Sequence, residues 1–386
     1  MIAARLRPFG TTIFSEMSAL AARTGAINLG QGFPDTDGPP EIVAAAETAM
    51  RSGQANQYAP QAGVPELCAA IAEHQRRHYG LEVDPQDGVQ VTFGATEAIA
   101  AAMLGLLEAG DEVVVIEPFY DSYAATIALA GAARRLVTLR PPDFVLPLDA
   151  LAAAAPGARM LVLNSPHNPT GRVLTRAELE GVARVCVEHD LIALTDEVYE
   201  HLAYEGEHVP LATLPGMAER TVTISSAGKS FSFTGWKIGW CSGPPDLVAG
   251  VRAAKQFLSY SGATPLQVAV AGALVDAERH VGPLRAALQA GRDRLCEGLL
   301  AAGMDVSVPQ GGYFVNADVA ALGVRDAREW CWALPERAGV VAIPTSAFYG
   351  DAEAGRTLVR FAFCKRPEVL DEAVARLLRA GRAAVG

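Results

Sequence analysis

From residue 89 onward the chain alternates short apolar runs with helical stretches, and several runs are apolar at almost every position. "VQVTF" leads into "GATEAIAAAMLGLLEAG", "DEVVVIEPFY" follows, and later runs are "RRLVTL", "RMLVLNSP", "LIALTDEV", "TVTISS" and "KIGWCSG". Successive side chains of a strand point to opposite faces, so a strand that is apolar throughout must be covered on both sides. Only helices packed on both faces of a mainly parallel sheet meet that demand here, which makes the chain α/β with seven or eight strands.

The first 40 residues lack this rhythm: "NLGQGFPDTDGPPEI" is a Gly/Pro-rich loop that stops before an amphipathic helix starting near Glu41. After about residue 280 the texture changes to a long Arg/Ala/Leu helix, Pro283 to Ala302, then the strand candidates "MDVSV", "GGYFVNA", "VVAIPTSAF" and "TLVRFAF", and a closing helix from Pro367 to Ala380. The expected organisation is a large domain over 41–280, a smaller α+β domain over 281–386, and an N-terminal segment, 1–40, that joins the small domain.

Half of the 386 residues are hydrophobic, enough for a sizeable core, and the net charge of -11 argues against a nucleic-acid surface. A small-molecule partner is expected instead. The start "MIAARLRPFGTTIFSEMSAL" shows no signal-peptide pattern, and no apolar run reaches membrane-spanning length. Six scattered cysteines without a Cys-x-x-Cys pair read as reduced core thiols of a cytoplasmic protein.

Ligand crevices of open α/β sheets lie at the carboxyl ends of the strands. The residues there form a coherent set: Tyr120 after "VVVIEPF", Asn164 and Asn168 in "LVLNSPHNPTG", Asp196 and Tyr199 in "LIALTDEVY", and Ser226 and Lys229 in "TVTISSAGK". Lysine is scarce in this chain, with only Lys229, Lys237, Lys255 and Lys365 against 28 arginines. A lysine that survives such a bias is a candidate for chemistry arginine cannot do, since only a primary amine loses its proton and condenses with an aldehyde. Asp196, ending a buried strand, needs a cationic or donor partner; taken alone it also reads as a helix N-cap or a salt-bridged core carboxylate. Gly94, Ala95 and Thr96 stand between a strand and a helix, where free N–H groups and the helix dipole favour a phosphate; taken alone they also read as an ordinary junction capped by Thr96. An amine for an aldehyde, an acid for a pyridine nitrogen, donors for a ring hydroxyl, an aromatic surface and an anion cradle together match pyridoxal 5'-phosphate.

The motifs "NLGQGFPD", "NQYAPQAGVPELCAAI", "GATEAI", "NSPHNPTG", "TDEVYEHL", "SSAGKSFSFTGWKIGW" and "RFAFCK" occur in one order over nearly the whole chain. In these the chain resembles a class I/II aminotransferase of the fold-type I pyridoxal-phosphate superfamily. The resemblance implies a large domain with a seven-stranded, mainly parallel sheet that binds the cofactor, plus the smaller α+β domain. It implies Lys229 as the amine that holds the cofactor and carries the proton, Asp196 against the pyridine nitrogen, and Tyr199 and Asn168 on the ring oxygen. Tyr120 would stack on the ring; Gly94, Ala95, Thr96, Ser226 and Lys237 would hold the phosphate. Arg360 would clasp the substrate α-carboxylate, with Asn168 and the Gly32 backbone in the same pocket. Tyr58 matches a tyrosine that reaches the neighbouring subunit's phosphate, which implies a homodimer with shared active sites.

The longer agreements, such as "IEPFYDSY" and "GVRAAKQFLSY", are similar to actinobacterial N-succinyldiaminopimelate aminotransferases of lysine biosynthesis. That substrate carries extra carboxylates and asks for a second cation, for which Arg23 and Arg252 are candidates. "NLGQGFPD" and "NQYAP" also resemble the branch of methionine, glutamine and kynurenine aminotransferases, and Phe14, Phe33, Tyr120 and Phe348 are candidates for an apolar side-chain pocket, or for core packing. A carbon–sulfur β-lyase would share every cofactor residue. "HQRRH", His74 to His78, has the spacing of two zinc ligands but lacks the glutamate of the zinc-protease motif and is basic between the histidines; it reads as a solvated helix face, and no metal centre is expected.

Overall fold

The apolar runs pair as the pattern demands. The structure is a computed structural model that describes residues 2–383. A short strand β1 (Ile27–Asn28) precedes β2 (Val89–Phe93), β3 (Glu112–Glu117), β4 (Ala133–Thr138), β5 (Met160–Asn164), β6 (Ile192–Asp196), β7 (Thr221–Ser226) and β8 (Ile238–Ser242). The last seven form one sheet in the order β2-β8-β7-β6-β5-β3-β4. Only β8 runs antiparallel to its neighbours.

Both faces are covered, and the alternation of side chains decides which core each residue joins. Val114, Ile116, Leu161, Leu163 and Ala193 pack into one cluster, while Val113, Val115, Met160, Val162, Ile192 and Leu194 pack into the other. The edge strand β4 is the exception to the continuous pattern: Arg134 and Arg135 leave its outer end exposed. Charge on an edge strand discourages pairing with another chain.

Helices Gly94–Leu106 and Pro245–Leu258 cross at Gly105 and Gly250. A Cβ built on Gly105 would lie 2.1 Å from the Gly250 carbonyl oxygen, so backbone meets backbone and no side chain can give way. Gly105→Ala is therefore expected to destabilise the fold by about 1–3 kcal/mol, read as a lower urea midpoint. An unchanged midpoint would mean that the two helices are not held this closely.

The remaining strands are β9 (Asp305–Ser307), β10 (Phe314–Asp318), β11 (Val340–Val341), β12 (Ile343–Pro344) and β13 (Leu358–Ala362). An antiparallel sheet has the order β12-β13-β10-β9, and β1 pairs in parallel with β11, Ile27 opposite Val340. The N-terminal residues Met17, Leu20 and Leu29 thus share a core with Leu295, Val341 and Phe361. The long helix runs from Ala277 to Ala301, six residues earlier than Pro283 implies. Proline is favoured in a first helical turn, but here buried Ala277 and Val281 anchor an extra turn and more ahead of it.

Candidate active site

A cavity of about 420 Å³ opens at the carboxyl ends of β5, β6 and β7, where strand topology places it. Parallel register puts Asn164, the last residue of β5, opposite Asp196, the last of β6. The chain leaves β7 at Ser226 and enters a single helical turn, Ala227–Ser230, that presents Lys229 to the cavity.

Lys229 Nζ donates to the Gly32 carbonyl at 3.3 Å and lies 5.0 Å and 5.7 Å from the ring centres of Tyr313 and Tyr199. The surrounding protein strips water from the amine and pushes its pKa down to about 8, only partly opposed by the negative potential of Asp196. Asp196 itself is buried. Its Oδ2 accepts a 2.6 Å hydrogen bond from the Tyr123 hydroxyl, and its Oδ1 a longer one, 3.4 Å, from the Val198 amide. Burial raises the carboxyl pKa, with the Tyr123 hydroxyl acting the other way. Asn164 braces this strand end by donating to the Asp196 carbonyl at 2.6 Å and accepting from the Asn168 amide at 2.7 Å. Tyr199 is buried edge-on to Tyr313, and burial raises its phenol pKa.

Arg360 reaches the cavity from the middle of β13 and is 1% exposed. Its Nη1 donates to Asn168 Oδ1 at 3.1 Å and its Nη2 to the Gly30 carbonyl at 2.9 Å, while Nε has no partner. The guanidinium carbon stands 3.9 Å from the Phe314 ring centre, 4.7 Å from that of Phe348 and 5.2 Å from that of Phe14. Burial pushes its pKa down to about 10. A buried guanidinium with an unused donor and, among the described residues, no carboxylate in salt-bridge reach is costly unless an anion is meant to arrive.

The opposite end of the cavity gathers groups suited to an anion. Gly94 has φ +72°, and a Cβ there would come within 3.0 Å of Lys237 Nζ, so glycine lets the amine approach the first turn of helix Gly94–Leu106. Ala95, Thr96 and Ser226 line the same space. Three cations, Lys229, Lys237 and Arg360, face one carboxylate, Asp196, among the lining residues. The excess of positive charge suits a ligand that brings a phosphate at one end and a carboxylate near Arg360.

The cavity gathers Gly32, Gly94, Ala95, Thr96, Tyr120, Asn168, Asp196, Tyr199, Ser226, Lys229, Lys237 and Arg360, each singled out from the sequence. Tyr58 is not among them. It is 78% exposed elsewhere, edge-on to Tyr260 at 5.5 Å.

Neither proposed second cation reaches the pocket. Arg252 is held by the Gln86 and Val89 carbonyls and by Gln90, and Arg23 sits in the last turn of helix Ile13–Thr24, outside the lining. Phe14 and Phe33 do line the cavity, and Phe348 packs on Phe14 and Arg360 behind it. The solvated-face reading of "HQRRH" is half wrong: His78 is exposed, but His74 is buried against His201.

Tyr123 and Phe314 were missed in the sequence. Tyr123 had a signal, since it lies in the first turn of helix Asp121–Ala130, three residues after Tyr120, which precedes that helix. Phe314 had none, because its place at the cavity depends on the pairing of β10 with β13.

Residues 24–377 match the family model described as aminotransferase class I and II. The chain is 55% identical, over 98% of both chains, to a Mycobacterium tuberculosis protein named "Probable N-succinyldiaminopimelate aminotransferase DapC". It is 38% identical to the methionine aminotransferase of Escherichia coli, over 97% of both chains. The solved structure of N-succinyldiaminopimelate aminotransferase from Mycobacterium tuberculosis superposes with a TM-score of 0.96, covering 98% of this chain and 100% of that one. A shared sheet, a shared chain course and a family match over most of the length leave one conclusion: this chain belongs to the class I and II aminotransferases and has the fold-type I architecture of that family.

Proposed function

We propose that the chain is a pyridoxal-phosphate-dependent aminotransferase that moves an amino group between N-succinyldiaminopimelate and a 2-oxoacid partner, in diaminopimelate and lysine biosynthesis. The observation that carries the substrate is the 55% identity spanning 98% of the relative that bears this name. When bound, pyridoxal phosphate supplies an aldehyde that takes up the amino group and a protonated ring that draws electron density from the substrate α-carbon.

The residues fit that group. Lys229, with its pKa lowered by desolvation, would hold the aldehyde through its amine and, when released, would carry the proton from the α-carbon. Asp196 keeps the proton on the pyridine nitrogen, and a cationic partner there answers the cost of burying its carboxylate. Tyr199 and Asn168 would donate to the ring oxygen, and Tyr120 would stack on the ring. Gly94, Ala95, Thr96, Ser226 and Lys237 take the phosphate. Arg360 receives the α-carboxylate on its planar fork, with the Gly32 backbone forming part of the pocket. Product leaves before the second substrate binds, giving ping-pong turnover.

Tyr58 completes the phosphate site of a second copy in a cytoplasmic homodimer, which its exposure outside its own cavity supports. Mixing Tyr58→Phe with Lys229→Ala subunits is expected to restore activity lost in each alone; no recovery after confirmed subunit exchange would contradict shared sites.

A second reading draws on Phe14, Phe33 and Phe314 in the lining and on the lack of a fourth cation there. These favour an apolar or aromatic side chain, as in the methionine, glutamine and kynurenine branch; a carbon–sulfur β-lyase would use the same cofactor residues. The loaded enzyme, given N-succinyldiaminopimelate, glutamate, methionine, glutamine or kynurenine separately, separates these readings. Rapid spectral conversion of the cofactor to its amine form by the succinylated diacid and glutamate alone supports the first. Conversion by the others instead, or release of a thiol from a cysteine conjugate, discards it.

A further inference from the structure

Outside the cavity, helix Pro65–Tyr79 and the turn after β6 bring three ligating side chains together: His74, Glu200 and His201. Their side-chain donor atoms all lie within 4.8 Å of one another, and the three residues are 3%, 5% and 6% exposed. His74 Nε2 and His201 Nε2 are hydrogen-bonded to each other at 3.1 Å, one imidazole donating and the other accepting, a bond that an ion between them would replace. Glu200 is oriented by two hydroxyls, Tyr79 donating to its Oε2 at 2.7 Å and Ser225 to its Oε1.

Among the described residues no lysine or arginine forms a salt bridge with Glu200; its polar neighbours are the two imidazoles and the two hydroxyls.

We propose that His74, Glu200 and His201 bind a divalent ion of the zinc class, at a site that ties helix Pro65–Tyr79 to the turn carrying Tyr199. Ligand nitrogens on a tetrahedral zinc lie about 3.3 Å apart, given bonds of 2.0–2.1 Å, and the two imidazoles are already close to that spacing. Imidazole and carboxylate together select zinc, cobalt or nickel over magnesium or calcium. Tyr79 and Ser225 supply the outer hydrogen bonds that fix a ligating carboxylate. Exposed His78 lies beside the cluster, its ring 4.4 Å from that of His74 and 6.0 Å from that of His201. His201 replaces His78 as the partner that sequence spacing assigned to His74. Since the ligands lie outside the cavity, the ion braces the fold and takes no part in amino transfer.

The test is equilibrium dialysis of chelator-treated holoenzyme against Zn²⁺, Co²⁺ or Mg²⁺, with metal analysis and the visible spectrum of the cobalt form. The expected result is about one Zn²⁺ or Co²⁺ per chain, no Mg²⁺, tetrahedral cobalt bands and a zinc-dependent rise in Tm. His74→Gln and His201→Gln should lose the ion while retaining aminotransferase activity, and His189→Gln should keep it. Tyr79→Phe should weaken binding by about 10- to 100-fold. If a histidine variant fails to fold, the native cobalt spectrum and Tyr79→Phe still decide. No stoichiometric zinc on the native enzyme, or equal binding by folded His74→Gln and His201→Gln, would overturn the site and leave the cluster as a neutral hydrogen-bonded pair beside a carboxylate.

Discussion

Lys229→Ala is expected to lower the rate of amino transfer by about 10,000-fold, because in the proposed mechanism one amine both holds the cofactor and moves the proton. Lys229→Arg should be equally inactive: a guanidinium keeps the charge but does not give up its proton. The pH dependence separates this role from a structural one. The pKa of the amine is depressed from 10.5 to about 8, so the reactive, unprotonated fraction grows about tenfold per unit up to pH 8 and levels above it. Reloading of the cofactor-free enzyme with pyridoxal phosphate should follow that curve; a rise that continues toward pH 10 would show an amine with no such environment. The sign for stability is also determined. Between about pH 8 and 10.5 the unfolded chain holds more protons at this residue, so its burial destabilises the fold fully below pH 8 and progressively less as pH rises. Lys229→Ala should therefore not lower the Tm of the cofactor-free enzyme at pH 7, which makes its inactivity a matter of chemistry.

Arg360→Lys is expected to cost about 3 kcal/mol of transition-state binding, roughly a 100-fold fall in kcat/KM, for amino acids and 2-oxoacids alike. Lysine keeps the charge but loses the planar fork and the stacking on Phe314 at 3.9 Å, and cannot reproduce both contacts to Asn168 and Gly30. The spectrum of the bound cofactor should stay unchanged, since the proposed partner of Arg360 is the substrate. A variant that loses cofactor instead would place this residue in a structural role. Rescue of kcat/KM for one substrate but not its partner would argue against a shared α-carboxylate site.

What the sequence made legible follows from how local each signal is. The large sheet is readable because a strand buried on both faces is apolar at successive positions, as in β3 and β5. The strand-end residues are readable because topology brings carboxyl ends together, so Asn164, Asp196 and Ser226 need no pairing information beyond the α/β pattern. Arg360 was singled out by family resemblance, and the structure places it in the cavity lining; its ring cage was not foreseen, because the register that sets Asn316 opposite Arg360 is a long-range pairing with no local trace. His74 and His201 are 127 residues apart, and the only local pattern pointed His74 toward His78. Arg23 and Arg252 show the converse. A cation's type is visible in sequence, but whether it faces a pocket or is consumed by neighbouring carbonyls depends on packing.

Peptide mapping after borohydride reduction of the loaded enzyme tests the central claim most directly, since reduction fixes the cofactor to the lysine that holds it. With only four lysines in the chain, the outcome is unambiguous. The label is expected on the peptide containing Lys229 and on no other. Label on Lys237, Lys255 or Lys365, or a purified protein that takes up no cofactor at all, would contradict it.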